Sequence, residues 1–134
     1  MSGRFQVSVN PAGPISVFMQ IENQVRFAIT SGQLKPGDAL PSVRDLAASL
    51  QVNPNTVTKA YRDLEIMGLV GGRRGVGVSV LPNARESTRK QTEVMVESHL
   101  KDAVAECIAT GLSQTRIAKI LSDTIKSGRR PYEN

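Results

Sequence analysis

Cysteine, histidine and aromatic residues are scarce in this chain. It has one cysteine, Cys107, one histidine, His99, no tryptophan, two tyrosines and three phenylalanines. A single cysteine cannot close an internal disulfide, so a reducing compartment is expected, with the cytoplasm as the default. His99 and Cys107 lie eight residues apart on one predicted helix, too far to form a compact metal site by themselves, and no other ligands cluster with them. Cys107 reads as a small buried apolar residue and His99 as a surface or interface polar group. No metal and no cofactor is expected. Nucleophilic catalysis has no footing either, because the only histidine and cysteine have no oxyanion-type loop nearby. The pairs Glu93/Glu97 and Asp102/Glu106 have the spacing of solvated helix faces, so no enzyme is expected. So few aromatic side chains give no stacking platform for single strands or RNA. No apolar run approaches the roughly twenty residues of a membrane span, and no secretory apolar core is present.

The composition that remains is globular, with 40% of the 134 residues apolar and 22% charged. That length allows one domain, or one with a small appendage. The formal charge of +5 favours a polyanionic partner, either nucleic acid or an anionic membrane surface. Residues 1–83 hold a net +3 and residues 84–134 a net +2, so arrangement rather than amount must locate the binding face.

Leu40 to Leu69 organises the rest. Val43, Leu46, Ala47 and Leu50 fall at i, i+3, i+4 and i+7, and Val57, Ala60, Tyr61 and Leu64 repeat that spacing. Ser42 is placed to cap the first helix, with Asp45 three residues on. Asn53 can cap the second, putting Pro54 at the first helical position, where its missing N–H is harmless. Gly68 is a natural stop. Two short capped helices with a tight turn between them read as helix-turn-helix. On the polar side of the second helix, Asn55, Thr58, Lys59 and Arg62 form a stripe with no carboxylate. Small hydrogen-bonding groups followed by cations suit a major groove; an ordinary solvated face is the plainer alternative. Tyr61 belongs with the apolar face, hence with the core.

Beyond Gly68, Leu69–Val70 and the alternating Val76, Val78 and Val80 predict a hairpin, with Gly71, Gly72, Arg73, Arg74 and Gly75 at a basic tip. A helix-turn-helix followed by such a hairpin is the layout of a winged helix. A phosphate-cradling loop would need a helix opening directly after the glycines, and here a strand follows.

Residues 1–14 read as a mobile or edge segment. Phe18, Ile21, Val25, Ala28 and Ile29 predict a helix over 15–31 that ends at Gly32 and supports the pair above. Lys35–Pro36–Gly37–Asp38 predicts a type II turn, and Asp38 to Leu40 a short strand against the wing. After Pro82–Asn83 comes a proline-free helix to Gly111, about 38 Å long, longer than the winged-helix body needs. Its stripe of Val96, Leu100, Ala103, Val104, Cys107 and Ile108 is joined by Ile117, Ile120, Leu121 and Ile125 on a last helix running from a Ser113 cap to Gly128. Two such helices make a poor core alone. They are expected to pair with a second chain; the alternative is that they fold back on their own winged helix. Residues 129–134 read as a tail.

The wording LPSVRDLA, VNPNTVTKAYRDLE, then GL and RRGVGVSV resembles the DNA-binding domain of GntR-type bacterial transcription regulators. NPNTV followed by AY, in a short chain, is similar to their YtrA-like short subfamily. The resemblance covers Pro14 to Val80 in detail, and the remainder only in length and helical character. The fold class it implies is mainly α with a small β-hairpin: a winged helix-turn-helix over 1–83, then a two-helix dimerisation or effector segment over 84–134. It implies a bacterial homodimeric repressor on an inverted-repeat operator, often that of a membrane-transporter operon including its own gene. Arg44, Pro54, Asn55, Thr58, Arg74 and Gly75 match the family's DNA-contacting positions. Arg44 can donate bidentately to guanine, and Asn55 can read adenine or bond a phosphate. Ser42 and Thr56 hydroxyls suit phosphates, as do Lys59 and Arg62, and Arg73 belongs to the wing, which is expected along the adjacent minor groove or backbone. Longer members often carry arginine where Pro54 and Thr58 stand, so the operator should differ. An effector, if there is one, is not legible. Competing functions are a nonspecific nucleoid-type binder and a winged-helix protein-interaction module.

Overall fold

The computed structural model describes residues 5–73 and 77–132. Helix α1 spans Val17–Ser31, α2 Val43–Leu50 and α3 Pro54–Ile66; strands β1 (Val70–Arg73) and β2 (Gly77–Val80) follow, then α4 (Ala84–Ala109) and α5 (Gln114–Ser127). The expected winged helix-turn-helix with two helices after it is the observed architecture.

The local signals operate as their chemistry dictates. Gly32 ends α1 at φ +84°, a left-handed conformation that glycine adopts without strain. In the turn at residues 35–38, the Asp38 amide donates to the Lys35 carbonyl at 2.9 Å and Gly37 sits at φ +88°, as a type II turn requires. Ser42 Oγ accepts from the Asp45 amide at 3.0 Å, and Asn53 Oδ1 from the Asn55 amide at 2.8 Å. Each cap removes one orphan donor from a helix N-terminus. The hairpin is antiparallel, with Val70 opposite Val80 and Arg73 opposite Gly77. Ala39 adds one bridge to Ser79, so the short third strand expected at 38–40 is reduced to a single residue pair. The Leu40 amide donates to the Val78 carbonyl, and the Val80 amide to that of Asp38, each at 2.9 Å.

The core lies where α1 crosses α3 and where α2 backs onto α3. Ile21, Val25, Ile29, Leu46, Val57, Tyr61, Leu64, Leu69 and Val80 are buried there. Three helices each contribute one apolar face, which explains why α1 is needed: two short capped helices cannot enclose a core by themselves.

Two expectations are corrected. Residues 5–14 are not a loose edge but lie along α1, and α1 itself starts at Val17 rather than residue 15. The reason for the first is a pair of buried glutamines. Gln24 accepts from the Ser8 amide at 3.1 Å and donates to the Ser8 carbonyl at 2.7 Å. Gln20 does the same for Asn10, at 2.8 and 2.9 Å, and also donates to the Ile15 carbonyl. A carboxamide presents one donor and one acceptor side by side, so it pairs with an extended backbone as another strand would. Phe5, Val7 and Val9 then pack on the core. Replacing Gln20 by Leu leaves the Asn10 amide and two carbonyls without these partners. The expected loss is about 2 kcal/mol in urea unfolding, with faster proteolysis of the first residues.

The tail at 129–132 is likewise seated. The Asn23 side-chain amide donates to Tyr132 Oη at 2.8 Å, tying the last described residues to α1.

Helix α4 meets α1 through its first half, from Ala84 to Met95. Ala84, Thr88 and Thr92 are buried; the two threonine hydroxyls lie 3.0 Å apart, and Arg26 donates to Thr92 at 3.4 Å. Further along, Val96, Leu100 and Ile108 are 43%, 53% and 62% exposed. On α5, Ile117 is buried, whereas Ile120 is 38% and Ile125 79% exposed. The single chain therefore leaves most of the apolar stripe uncovered, while the first half of α4 and the tail lie back against α1.

Candidate nucleic-acid interface

Ser42 and Arg44 at the start of α2, and Pro54, Asn55 and Arg62 on α3, are exposed; Thr56 and Thr58 are half-buried. Asn55, Thr58 and Arg62 share one face by their i, i+3, i+7 spacing. Among the described residues, neither Arg44 nor Arg62 enters an ion pair. Ser42 Oγ uses a lone pair for its cap, but its O–H remains a donor for a phosphate oxygen. The start of α2 is tied to the middle of α3 by Tyr61, which is 5% exposed and whose Oη donates to the Pro41 carbonyl at 2.7 Å. Burial raises the Tyr61 phenol pKa above its ordinary value, so it stays a donor throughout the useful pH range. The tyrosine is core, as its position on the apolar face indicated; its bond across to the residue before Ser42 had no local signal.

Lys59 sits differently from the rest of its stripe. Its Nζ is 3.9 Å from Asp63 Oδ2 and lies 4.5 Å above the Phe18 ring of α1. The ammonium thus rests on the α1 side, at the edge of the polar face. Of the wing, the Arg73 backbone pairs with Gly77. The Arg73 side chain, and Arg74, Gly75 and Val76 entirely, lie outside the described residues.

Glu22 of α1 is a residue that sequence reasoning missed. It is 4% exposed. Burial pushes its carboxyl up to about 8, and the nearby Asp63 carboxyl adds to the rise, while Lys59 and Arg26 oppose it. A signal existed: Glu22 completes the series Phe18, Glu22, Val25, Ile29, which has the spacing of an inward face. The sign of its effect on stability follows from proton counts. Between its ordinary value of 4.5 and about 8 the folded chain holds a proton that the unfolded chain has released. Stability from this group is therefore greatest at low pH and falls as pH rises through that window. Glu22→Gln removes the slope. The variant should gain on the order of 2 kcal/mol over the native chain between about pH 5 and about pH 8, read as the difference between two urea-unfolding series.

No group of three or more His, Cys, Asp or Glu among the described residues could hold a metal ion. No helix of the described residues is long and apolar enough to cross a membrane.

Comparison with known proteins gives this geometry its context. Residues 19–80 match the family described as bacterial regulatory proteins, gntR family. Over 127 residues the chain is 32% identical to the HTH-type transcriptional repressor YtrA of Bacillus subtilis, covering 92% of this chain and 98% of that one. Among solved structures it is similar to a GntR family transcriptional regulator from Listeria monocytogenes, with a TM-score of 0.62 at 27% identity, covering 85% of this chain and 97% of that one. It is also similar to YtrA from Sulfolobus acidocaldarius, a GntR-family transcription factor, with a TM-score of 0.55 at 32% identity over 71% of this chain and 97% of that one.

Proposed function

The chain belongs to the GntR family and is a DNA-binding regulator of transcription rather than an enzyme, and from that premise we propose that it is a homodimeric repressor of an inverted-repeat operator. Residues 1–83 form the DNA-binding unit, and residues 84–134 the pairing segment. Each copy lays α3 in a major groove, with Asn55 and Thr58 at base edges and Arg62 on the backbone. Arg44, at the second position of α2, reaches a guanine of the same groove. Ser42 and Thr56 hydroxyls bind flanking phosphates, where the positive end of a helix dipole assists. Lys59 reaches a phosphate from the edge of the stripe. The wing, with Arg73, Arg74 and Gly75, follows the adjacent minor groove or backbone.

The observation that carries this reading is the start of α2, held to the middle of α3 by the Tyr61–Pro41 bond, beside an exposed face of α3 on which Asn55, Thr58 and Arg62 stand without a carboxylate. Dimerisation is supported by the uncovered stripe on α4 and α5, since exposed contiguous apolar surface marks an interaction site. A two-fold dimer presents its two heads to symmetric half-sites. Repression is taken from the likeness to the Bacillus subtilis repressor, and control of a transporter operon containing the regulator's own gene is what the resemblance to the family implies.

Selection of bound fragments from the organism's own genome, with excess nonspecific competitor, tests the function. The expected result is a discrete set of fragments bound about a thousandfold or more above competitor. A ratio near one would instead identify a nonspecific nucleoid-type binder, and no retention at all a protein-interaction module.

A further inference from the structure

Behind the proposed reading face, α1 and α3 bring together a cluster that groove recognition does not use. Glu22 is almost wholly buried, and its Oε2 has no hydrogen-bond partner among the described residues. The Asp63 carboxyl of α3 lies within hydrogen-bonding reach of it. The other charged groups facing Glu22 are Lys59 of α3 and Arg26 of α1. Asp63 in turn is the group that Lys59 approaches, at 3.9 Å, while Phe18 lies under the ammonium. Two ionised carboxylates have no donor between them and repel. One proton shared by the pair gives the orphaned oxygen a role and removes the repulsion.

We propose that Glu22 and Asp63 share one proton, and that its presence or absence sets how freely Lys59 leaves α1 for a DNA phosphate. Glu22 is then a positioning residue for DNA binding, acting through Asp63 and Lys59. The proposal rests on the DNA-binding reading of α3. With the proton in place the pair carries one negative charge. Lys59, with 55% of its side chain exposed, holds to it only as a weak surface ion pair, and a phosphate competes easily. With the proton gone the pair carries two negative charges, one of them buried. Lys59 becomes a needed counter-ion and is retained against Phe18. Because burial pushes Glu22 up to about 8, the change falls within the range in which proteins operate. Linkage makes the effect reciprocal: a phosphate that draws Lys59 away strengthens the grip on the proton, so DNA binding takes up protons near that pH.

Fluorescence anisotropy with the full chain and a short mixed-sequence duplex at low salt tests this without knowledge of the operator, since phosphate contacts are independent of sequence. Glu22→Gln keeps the shape and donates an N–H toward Asp63, imitating the protonated pair. From about pH 6.5 to about pH 9.5 the native chain should lose about three- to tenfold more affinity than Glu22→Gln does. Lys59→Gln should bind more weakly throughout, and adding Glu22→Gln to it should leave the pH profile unchanged. A carboxyl-carbon NMR titration reads the proton directly. The Glu22 step is expected well above its ordinary value, missing in Glu22→Gln and displaced in Asp63→Asn. Parallel affinity profiles for the native chain and Glu22→Gln would overturn the proposal, as would a Glu22 resonance titrating at its ordinary value. Failure of every form to bind duplex at any pH would overturn the premise about α3 instead.

Discussion

Leu100→Glu combined with Ile108→Glu should cut operator affinity by about two to four orders of magnitude while leaving each chain folded. Both residues are more than half exposed in the single chain, so glutamate there removes little intrachain packing, and its helix propensity is close to that of leucine and isoleucine. In the proposed dimer the same positions would be covered, and buried unpaired carboxylates cost several kcal/mol. Separate chains then lose the second head's effective concentration, which is the source of the affinity loss. Sedimentation should show a single-chain mass, circular dichroism should stay near that of the native chain, and binding to a half-site should be unchanged. A double variant that remains dimeric would place the interface elsewhere on α4 and α5.

Arg44→Ala carries the second large effect. Arg44 is exposed at the start of α2 and has no ion pair among the described residues, so its removal should not disturb folding. A bidentate arginine–guanine contact is worth about 1–3 kcal/mol. A symmetric dimer makes the contact twice, giving about 2–6 kcal/mol for the whole operator. Preference at one base pair of each half-site should relax, and binding to mixed-sequence DNA should change far less. A uniform loss on all sequences would make Arg44 a phosphate contact and move the reading of that base pair to α3.

The parts of the fold legible from the amino-acid sequence are those whose causes are local. Ser42, Asn53 and Pro54 act within one helical turn of themselves, and Gly32, Gly37 and Gly68 act on their own backbone. The strand from Val78 to Val80 shows its alternation without reference to any other element. What escaped is held by long-range polar bonds. Gln20 and Gln24 look like solvent-facing residues until an extended segment is laid beside them. Tyr132 looks like part of a free tail until Asn23 of α1 is found opposite it. The candidate site divides in the same way. The stripe Asn55, Thr58, Arg62 is a property of one helix and could be read directly. The seat of Lys59 above Phe18 depends on α1 packing against α3, which no spacing within α3 encodes.

Hydroxyl-radical footprinting on a fragment selected from the genome bears most directly on the claim that two copies of α3 read paired grooves. The expected pattern is two protected tracts related by two-fold symmetry, about one helical turn apart or a multiple of it, occupied by two chains together. Protection of one asymmetric tract by one chain, with undiminished affinity, would contradict it.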